Sequence, residues 1–146
     1  MTIKIPTPNT PDHFFVALWQ ECLERIARGS TRDVYAIPGH DDKVLKVVSR
    51  PGYFTNWSEI VTYKFATEKK YLAEVISWSS SGKFLVMERL SPVTLVDLAG
   101  HEIPAYLNDK KPENFGRAKS GEIKALDYGM LDLPTGHLYT FPKPQT

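Results

Sequence analysis

Four side chains suited to handling a phosphate and its metal lie in the carboxy-terminal part of the chain. They are Asp109, Lys111 and Asn114, in the run DKKPEN, and Asp127, in the triplet DYG. A loop carboxylate such as Asp109 can orient or deprotonate a hydroxyl, and a lysine two residues later can neutralise a phosphoryl group in transfer. The amide and the second carboxylate offer the hard oxygen ligands that Mg²⁺ prefers. The pattern therefore predicts a site that converges on one phosphate and its metal.

The strands that must position these residues follow from the hydrophobic pattern. Residues 33–38 and 43–48 flank the turn GHDD and predict a β-hairpin. Residues 73–78 and 83–88 flank SSSG and predict a second hairpin. After the turn KSGE, residues 122–127 predict a further strand that leads directly into the DYG triplet.

Three helices are predicted between and around the strands. The first begins at Thr10-Pro11-Asp12 and continues to Ala27, and Gly29 is a candidate C-cap. A second helix is predicted over residues 56–69 and a short one at Leu95–Leu98. The apolar positions at helical spacing in the first helix are Phe15, Leu18, Trp19, Cys22, Leu23 and Ile26. Antiparallel strands with segregated helices indicate the α+β class.

The run DKKPEN resembles the catalytic loop of the protein kinase family, and DYG resembles that family's metal-binding DFG. The five-residue step from aspartate to asparagine matches the family signature. The resemblance implies that Asp109 positions or deprotonates a hydroxyl and that Lys111 stabilises the γ-phosphoryl. It also implies that Asn114 and Asp127 bind Mg²⁺.

The resemblance extends upstream in the expected order. Val44-Leu45-Lys46 is similar to the end of the family's V-A-I-K motif, so Lys46 is the implied ATP-phosphate lysine. Glu59, on the second predicted helix, lies where the family places the glutamate that pairs with that lysine. Met87 corresponds to the gatekeeper position, and backbone groups of Glu88–Leu90 are expected to face adenine.

The glycine-rich loop of the family is only weakly represented. Residues 27–34 keep Gly29 and Val34, but Ala27 and Arg32 stand in the outer glycine positions. Arg32 is hypothesised to provide a charge to the nucleotide at this point. The implied nucleotide-binding residues of the loop are Gly29, Ser30, Thr31, Arg32 and Val34.

Two departures from the family concern regulation and size. Leu107-Asn108 replaces His-Arg before Asp109, which implies that no activation-loop phosphate is read. The stretch from Glu88 to Asp109 is too short for the family's long helix, and no A-P-E motif follows Gly129. The resemblance therefore implies a kinase-like amino-terminal lobe, which consists of an antiparallel sheet with a helix of the αC type, and a severely shortened carboxy-terminal lobe.

The predicted single domain, 1–146, divides into a lead-in and helix (1–28), the amino-terminal lobe (29–90), the catalytic and DFG-like region (91–130) and a tail (131–146).

Each motif also has an ordinary structural alternative. Lys46 alone is compatible with a solvated edge strand, and Glu59 stands three residues after Asn56 at capping-box spacing. Asp109 alone is compatible with a turn, since Asn-Asp-Lys is turn-like, and residues 127–129 with a turn that ends a strand.

Composition excludes several classes of protein. The 146 residues contain 18 Lys and Arg against 17 Asp and Glu, a balance that argues against a general nucleic-acid binder. The single cysteine, Cys22, cannot form an internal disulfide, which favours a reducing compartment. No apolar run is long enough to span a membrane, and the first residues do not resemble a signal peptide. A cytoplasmic protein is predicted.

The predicted function is ATP- and Mg²⁺-dependent phosphoryl transfer to Ser or Thr of a protein substrate. Small kinases that resemble this chain occur in bacterial effectors, phages and other viruses, which implies the host-cell cytoplasm as another location and an activating or target partner protein. One alternative is a pseudokinase-like module that docks on a partner. Another is a small-molecule kinase related to the aminoglycoside phosphotransferases, against which the KPEN run argues.

An apolar patch is predicted where the missing helices of a full kinase would pack. Either the tail over residues 131–142 covers this patch, or the patch is an interface. The tail residues expected to provide the cover are Leu131, Leu133, Leu138, Tyr139 and Phe141.

Overall fold

The computed structural model describes residues 3–107, 109–128 and 138–143. Its helices are α1 (Asp12–Glu21), α2 (Thr55–Phe65) and α3 (Leu95–Leu98), and single 3₁₀ turns cover Lys69–Tyr71 and Pro112–Asn114. Its strands are β1 (Arg25–Arg28), β2 (Arg32–Ile37), β3 (His40–Val48), β4 (Val75–Trp78), β5 (Phe84–Glu88), β6 (Ser91–Pro92), β7 (Glu102–Pro104), β8 (Phe115–Arg117), β9 (Ile123–Ala125) and β10 (Leu138–Thr140). The α+β class predicted from the sequence is confirmed.

The main sheet is antiparallel, with strand order β1-β2-β3-β5-β4. Both predicted hairpins are confirmed. Gly39 and Gly82 stand in their turns with φ of 80° and 78°, a backbone conformation that favours glycine. In the centre of the sheet Val34 pairs with Lys46, and Leu45 pairs with Val86. This register places Lys46 on the middle strand rather than at an edge.

The first helix is shorter than predicted. It ends at Glu21, where the amide of Cys22 donates to the carbonyl of Trp19, and residues 25–28 form the edge strand β1 instead. The prediction extended the helix too far because apolar residues continue at helical spacing beyond Glu21. One of these residues, Leu23, is 91% exposed and packs against no core. The C-cap alternative for Gly29 is also wrong, since Gly29 lies in the turn between β1 and β2.

The second helix also ends earlier than predicted. Its last residue is Phe65, because Ala66 adopts an extended conformation, and Lys69–Tyr71 forms a separate 3₁₀ turn. The short helix at Leu95–Leu98 is confirmed and is capped reciprocally by Thr94 and Asp97. Within the described ranges, no helix has the length and apolar content needed to cross a membrane.

A second, smaller sheet was not predicted as such. Its order is β6-β8-β9, and β9 is the strand expected within residues 122–127. Gly116 in β8 permits this sheet to form, because a Cβ there would lie 2.4 Å from the Cβ of Leu90 and 2.9 Å from the carbonyl oxygen of Ser91. The DKKPEN loop runs directly into β8, and β9 ends two residues before Asp127, so this sheet adjoins both carboxy-terminal motifs.

Two apolar clusters lie on opposite faces of the main sheet, since side chains alternate along each strand. One cluster joins α1 to the sheet through Phe15, Leu18, Leu45 and Phe84. The other joins the sheet to α2, α3 and the small sheet; its largest fully buried members are Leu72, Leu85, Met87, Leu98, Ile103, Phe115 and Tyr128. The second cluster therefore includes Met87 and Tyr128, and Lys46 lies on its face because Lys46 alternates along β3 with Leu45 and Val47 of the first cluster.

The tail covers part of this face. Strand β10 pairs antiparallel with β7, and the buried ring of Phe141 meets the ring of Phe115 edge-on at 5.5 Å. Tyr139 packs against the same cluster, whereas Leu138 is exposed. Leu131 and Leu133 lie outside the described residues, so the covering role predicted for them stays a prediction.

Candidate functional site

Helix α2 places Glu59 beside Lys46 of β3. The lysine Nζ lies 2.9 Å from Glu59 Oε1, and both side chains are almost completely buried. The pairing expected from the sequence is therefore present. The capping-box alternative for Glu59 is wrong, because helix α2 begins after Phe54 and has no side-chain cap. The edge-strand alternative for Lys46 is wrong as well.

Arg32 joins the same ion pair from the first residue of β2. Its two terminal nitrogens donate to the two oxygens of Glu59 at 2.8 and 2.7 Å. Nη2 also donates to Asp127 Oδ1 at 2.8 Å, and Nη1 donates to Asn56 Oδ1 at 2.9 Å. The guanidinium is buried, so Arg32 contributes its charge to an internal network. We call Arg32, Lys46, Glu59 and Asp127 the charge network.

Burial and charge act in opposite directions within this network. Burial alone would raise the pKa of Glu59, but Arg32 and Lys46 lower it to about 2. Burial lowers the pKa of Lys46, and the charge of Arg32 lowers it further against the opposing effects of Glu59 and Asp127. Burial also disfavours the Arg32 cation, yet Glu59 and Asp127 outweigh this effect and raise its pKa. Glu59 is thus an anion in the folded protein at neutral pH.

The backbone around Asp127 is fixed to the same network. The amide of Tyr128 donates to Glu59 Oε2 at 2.7 Å, and Lys46 Nζ donates to the carbonyl oxygen of Leu126. The buried Tyr128 hydroxyl donates to the carbonyl of Ala73 at 2.7 Å, and burial raises the pKa of this phenol. These contacts hold the start of the DYG triplet beside Lys46. Gly129 lies outside the described residues.

An apolar cleft of about 360 Å³ opens between the main sheet and the small sheet. Lys46 lines its inner end, and the expected gatekeeper Met87 and residues 88–90 line one wall. The other lining residues are mostly apolar: Ile26, Ala27, Val34, Val44, Pro92, Val93, Pro112, Glu113, Phe115 and Leu126. The cleft is therefore mostly apolar, and Lys46 is the member of the charge network that lines it.

The DKKPEN loop lies beside this cleft. Asn114 Nδ2 donates to the carbonyl oxygen of Asp109 at 3.0 Å, and Lys111 Nζ lies 3.7 Å from Asp109 Oδ2. The side chains of Asp109 and Lys111 are exposed. The amide of Leu126 donates to the carbonyl of Asn114 at 2.8 Å, which ties this loop to the residue before Asp127.

Asn114 and Asp127 place an amide oxygen and a carboxylate near each other, and these are donor types that can hold Mg²⁺. Asn114 and Asp127 are on adjacent backbone segments, and the Asp127 side chain is half exposed. Across the described residues, no group of three or more His, Cys, Asp or Glu side chains converges as a metal site. Mg²⁺ seldom needs such a group, because it keeps several waters and binds through one or two carboxylates together with substrate phosphates.

The predicted glycine-rich segment is only partly at the site. Val34 lines the cleft, whereas Gly29, Ser30 and Thr31 do not. Thr31 is held elsewhere: its hydroxyl lies 3.0 Å from that of Thr55, and its carbonyl accepts from the amide of Ser49.

Asn56 is a buried hydrogen-bond partner of the charge network that was not predicted from the sequence. It is fully buried, accepts from Arg32, and donates to the carbonyl oxygens of Lys46 and Lys83 at 3.2 and 3.0 Å. Its position three residues before Glu59 was the available signal, since residues three apart share a helix face. Our capping-box alternative considered that spacing only as a cap.

Comparison with known protein families and with characterised proteins found no match to this chain.

Proposed function

We propose that the protein is a minimal kinase that transfers the γ-phosphoryl group of ATP to a Ser or Thr hydroxyl of a protein substrate. The observation that carries the proposal is the buried Lys46–Glu59 ion pair at the inner end of an apolar cleft, with Asp127 tied to it through Arg32. A purely structural ion pair has no need of an adjoining open cleft. The same proposal interprets the main sheet and α2 as a kinase-like amino-terminal lobe with a severely shortened carboxy-terminal lobe.

In the proposed reaction adenine occupies the apolar cleft beside Met87 and residues 88–90. Lys46 holds the α- and β-phosphates and is itself held by Glu59. Asn114 and Asp127 would hold Mg²⁺, which supplies positive charge to the phosphates when bound. Catalysis then consists of positioning and electrostatic stabilisation rather than covalent chemistry.

The bond changes centre on the exposed loop. Asp109 accepts the proton of the substrate hydroxyl as its oxygen attacks the γ-phosphorus. The bond from that phosphorus to the bridging β–γ oxygen breaks, and ADP leaves with the electron pair. Lys111 is exposed and beside Asp109, so it can neutralise the γ-phosphoryl oxygens as the charge shifts.

Transfer from γ-labelled ATP with Mg²⁺ tests this function directly. We expect the native chain to label itself or an added protein substrate, and Lys46→Met and Asp127→Asn each to lose at least about 100-fold in rate. Lys43→Met is the matched control, because Lys43 is on the same strand but does not line the cleft. A native chain that transfers no label, or variants that keep the native rate, would reject the kinase proposal.

A docking module is the second candidate, and one observation favours it. Helix α2 and the residue before it expose large apolar side chains, with Phe54 70%, Val61 50% and Phe65 67% exposed. Such a surface is compatible with a partner protein, either as target or as activator. The two candidates differ in what they require of the cleft, since a module that only docks needs no nucleotide.

A variant that fills the cleft tests whether the protein binds nucleotide there or acts only as a docking module. We expect ATP with Mg²⁺ to raise the melting temperature of the native chain and Val34→Phe to abolish this shift, because the added ring occupies the chamber. The melting temperature without ligand should change little in the variant. Val61→Phe makes the same change on the exposed face of α2 and should keep the full shift. Equal shifts in all three proteins would place nucleotide outside this cleft.

A further inference from the structure

Arg32 lies where it can compete with a metal ion. Its Nη2 donates to Asp127 Oδ1 at 2.8 Å, the carboxylate that the proposed function assigns to Mg²⁺. Within the described ranges, Arg32 is the one residue with a hydrogen bond to the Asp127 side chain. Among the described residues, the guanidinium of Arg32 therefore occupies a position at this carboxylate that a metal ion would otherwise take.

We propose that Arg32 is an internal counter-ion for Asp127 that keeps free divalent cations out of the site. The metal then enters only together with nucleotide phosphates, and this inference rests on the proposed function. Arg32 thus acts through Asp127 as a positioning residue. The kinase-like motifs assign it no such role, because they place a glycine at this position.

The charge count of the network supports this order of binding. Arg32 and Lys46 carry two positive charges, and Glu59 and Asp127 carry two negative charges, so the network is balanced without a metal. A lone divalent cation would add two positive charges beside two fixed cations. A nucleotide with its phosphates brings negative charge that offsets both the metal and Lys46.

The hydrogen bonds show that Arg32 can give up Asp127 without leaving its place. Three of its four side-chain hydrogen bonds go to Glu59 and Asn56, and only one goes to Asp127. Glu59 is completely buried, whereas the Asp127 side chain is 50% exposed and reachable from solvent. The guanidinium can therefore keep its hydrogen bonds to Glu59 and Asn56 of α2 while the Asp127 carboxylate binds a metal instead.

Titration with Mn²⁺, followed by its electron paramagnetic resonance signal, tests the proposal on the free protein. We expect weak binding to the native chain and at least about tenfold tighter binding to Arg32→Gln, which removes the competing cation. Arg28→Gln removes an exposed charge of the same sign and should leave Mn²⁺ binding unchanged. The double variant Arg32→Gln/Asp127→Asn should lose the gain, since the gain arises at Asp127.

A second comparison does not require Arg32→Gln to fold. In the native chain, Mn²⁺ should bind much more tightly with a non-hydrolysable ATP analogue than without it, after correction for metal–nucleotide complex in solution. Arg32→Lys keeps a cation at this position and should keep free Mn²⁺ binding weak. Tight binding of Mn²⁺ at Asp127 of the nucleotide-free native chain would overturn the proposal, as would an unchanged affinity in folded Arg32→Gln.

The two proposals fail in different ways. If the native chain binds no metal–nucleotide complex at all, the proposed function is wrong and the role of Arg32 falls with it. If the native chain binds the complex but Arg32→Gln gains no affinity for free Mn²⁺, only the counter-ion proposal is wrong.

Discussion

Glu59→Ala is expected to destabilise the protein by about 3–5 kcal/mol, the range typical of breaking a buried ion pair on one side. Glu59 accepts hydrogen bonds from both terminal nitrogens of Arg32, from Lys46 Nζ and from the amide of Tyr128. Its removal leaves Lys46 and the Tyr128 amide without this acceptor and leaves Arg32 with Asp127 as its remaining carboxylate partner among the described residues. This effect is a large part of the total stability of an ordinary domain, which is about 5–15 kcal/mol.

Urea denaturation measures this effect, with two variants for comparison. Glu68→Ala removes an exposed carboxylate just beyond α2 and should change the free energy of unfolding by less than about 0.5 kcal/mol. Glu59→Gln keeps the size of the side chain but not its charge, so it should still destabilise the protein strongly. If Glu59→Ala unfolded at the same urea concentration as Glu68→Ala, the charge network would contribute little to the fold.

The dependence of the free energy of unfolding on pH, on the acid side, gives an independent measurement of the contribution of Glu59. Its pKa falls from 4.5 to about 2 on folding, so its contribution is complete above about pH 4.5 and disappears as the pH falls toward 2. The native chain should therefore lose stability over this window. Glu59→Gln lacks the titrating group and should show a shallower decline, whereas Glu68→Ala should follow the native curve.

The hairpins were predictable because their signals are local. Each consists of two apolar runs around a short turn, and the turn glycines Gly39 and Gly82 adopt positive φ. The first helix was overextended because Cys22 and Ile26 continue its apolar spacing. Nothing local to residues 25–28 indicates that they pair with β2, since this pairing is a contact made in space rather than along the chain.

The site was predictable where motif spacing sufficed. The pairing of Lys46 with Glu59 was expected from the resemblance to the protein kinase family, and the structure contains this ion pair. The position of Arg32 did not follow, because its partners Glu59 and Asp127 lie 27 and 95 residues away. The sequence offered a charge in place of a glycine, but only the folded chain shows that this charge is directed inward.

The small sheet escaped prediction for a related reason. Only β9 was expected from the sequence, since β6 and β8 have two and three residues, too few for an alternation pattern to be recognised. The pairing of β6 with β8 depends on the close approach at Gly116 and joins segments that are distant in sequence. Pro92 and Phe115 of this sheet nevertheless line the cleft, so the part of the candidate site least visible in the sequence contributes to its wall.

Asp109→Asn is expected to lower the rate of phosphoryl transfer by about 100- to 10,000-fold, the range for loss of a general base. The amide has nearly the same shape as the carboxylate but cannot accept the substrate proton. Asp109 is exposed and makes no contact with the charge network among the described residues. Folding and ATP binding should therefore be unaffected, so the loss should appear in kcat rather than in the KM for ATP.

Rates of label transfer at several ATP concentrations, together with the ATP-induced shift in melting temperature, test this split. Asp41→Asn is the matched control, because it makes the same chemical change at an exposed position near the start of β3 and should keep the native rate. Lys111→Met should also lower kcat while keeping the ATP-induced shift, since its exposed ammonium lies beside Asp109 and away from the cleft.

The pattern of losses distinguishes a reaction centre from a structural ion network. If Asp109→Asn loses transfer but keeps both the ATP shift and the native stability, the exposed loop contributes chemistry that the buried network cannot supply. If Asp109→Asn transfers label at the native rate while Asp127→Asn does not, the proton must leave by another route. Asp109 would then be a turn residue, and the assignment of general base to this loop would be wrong.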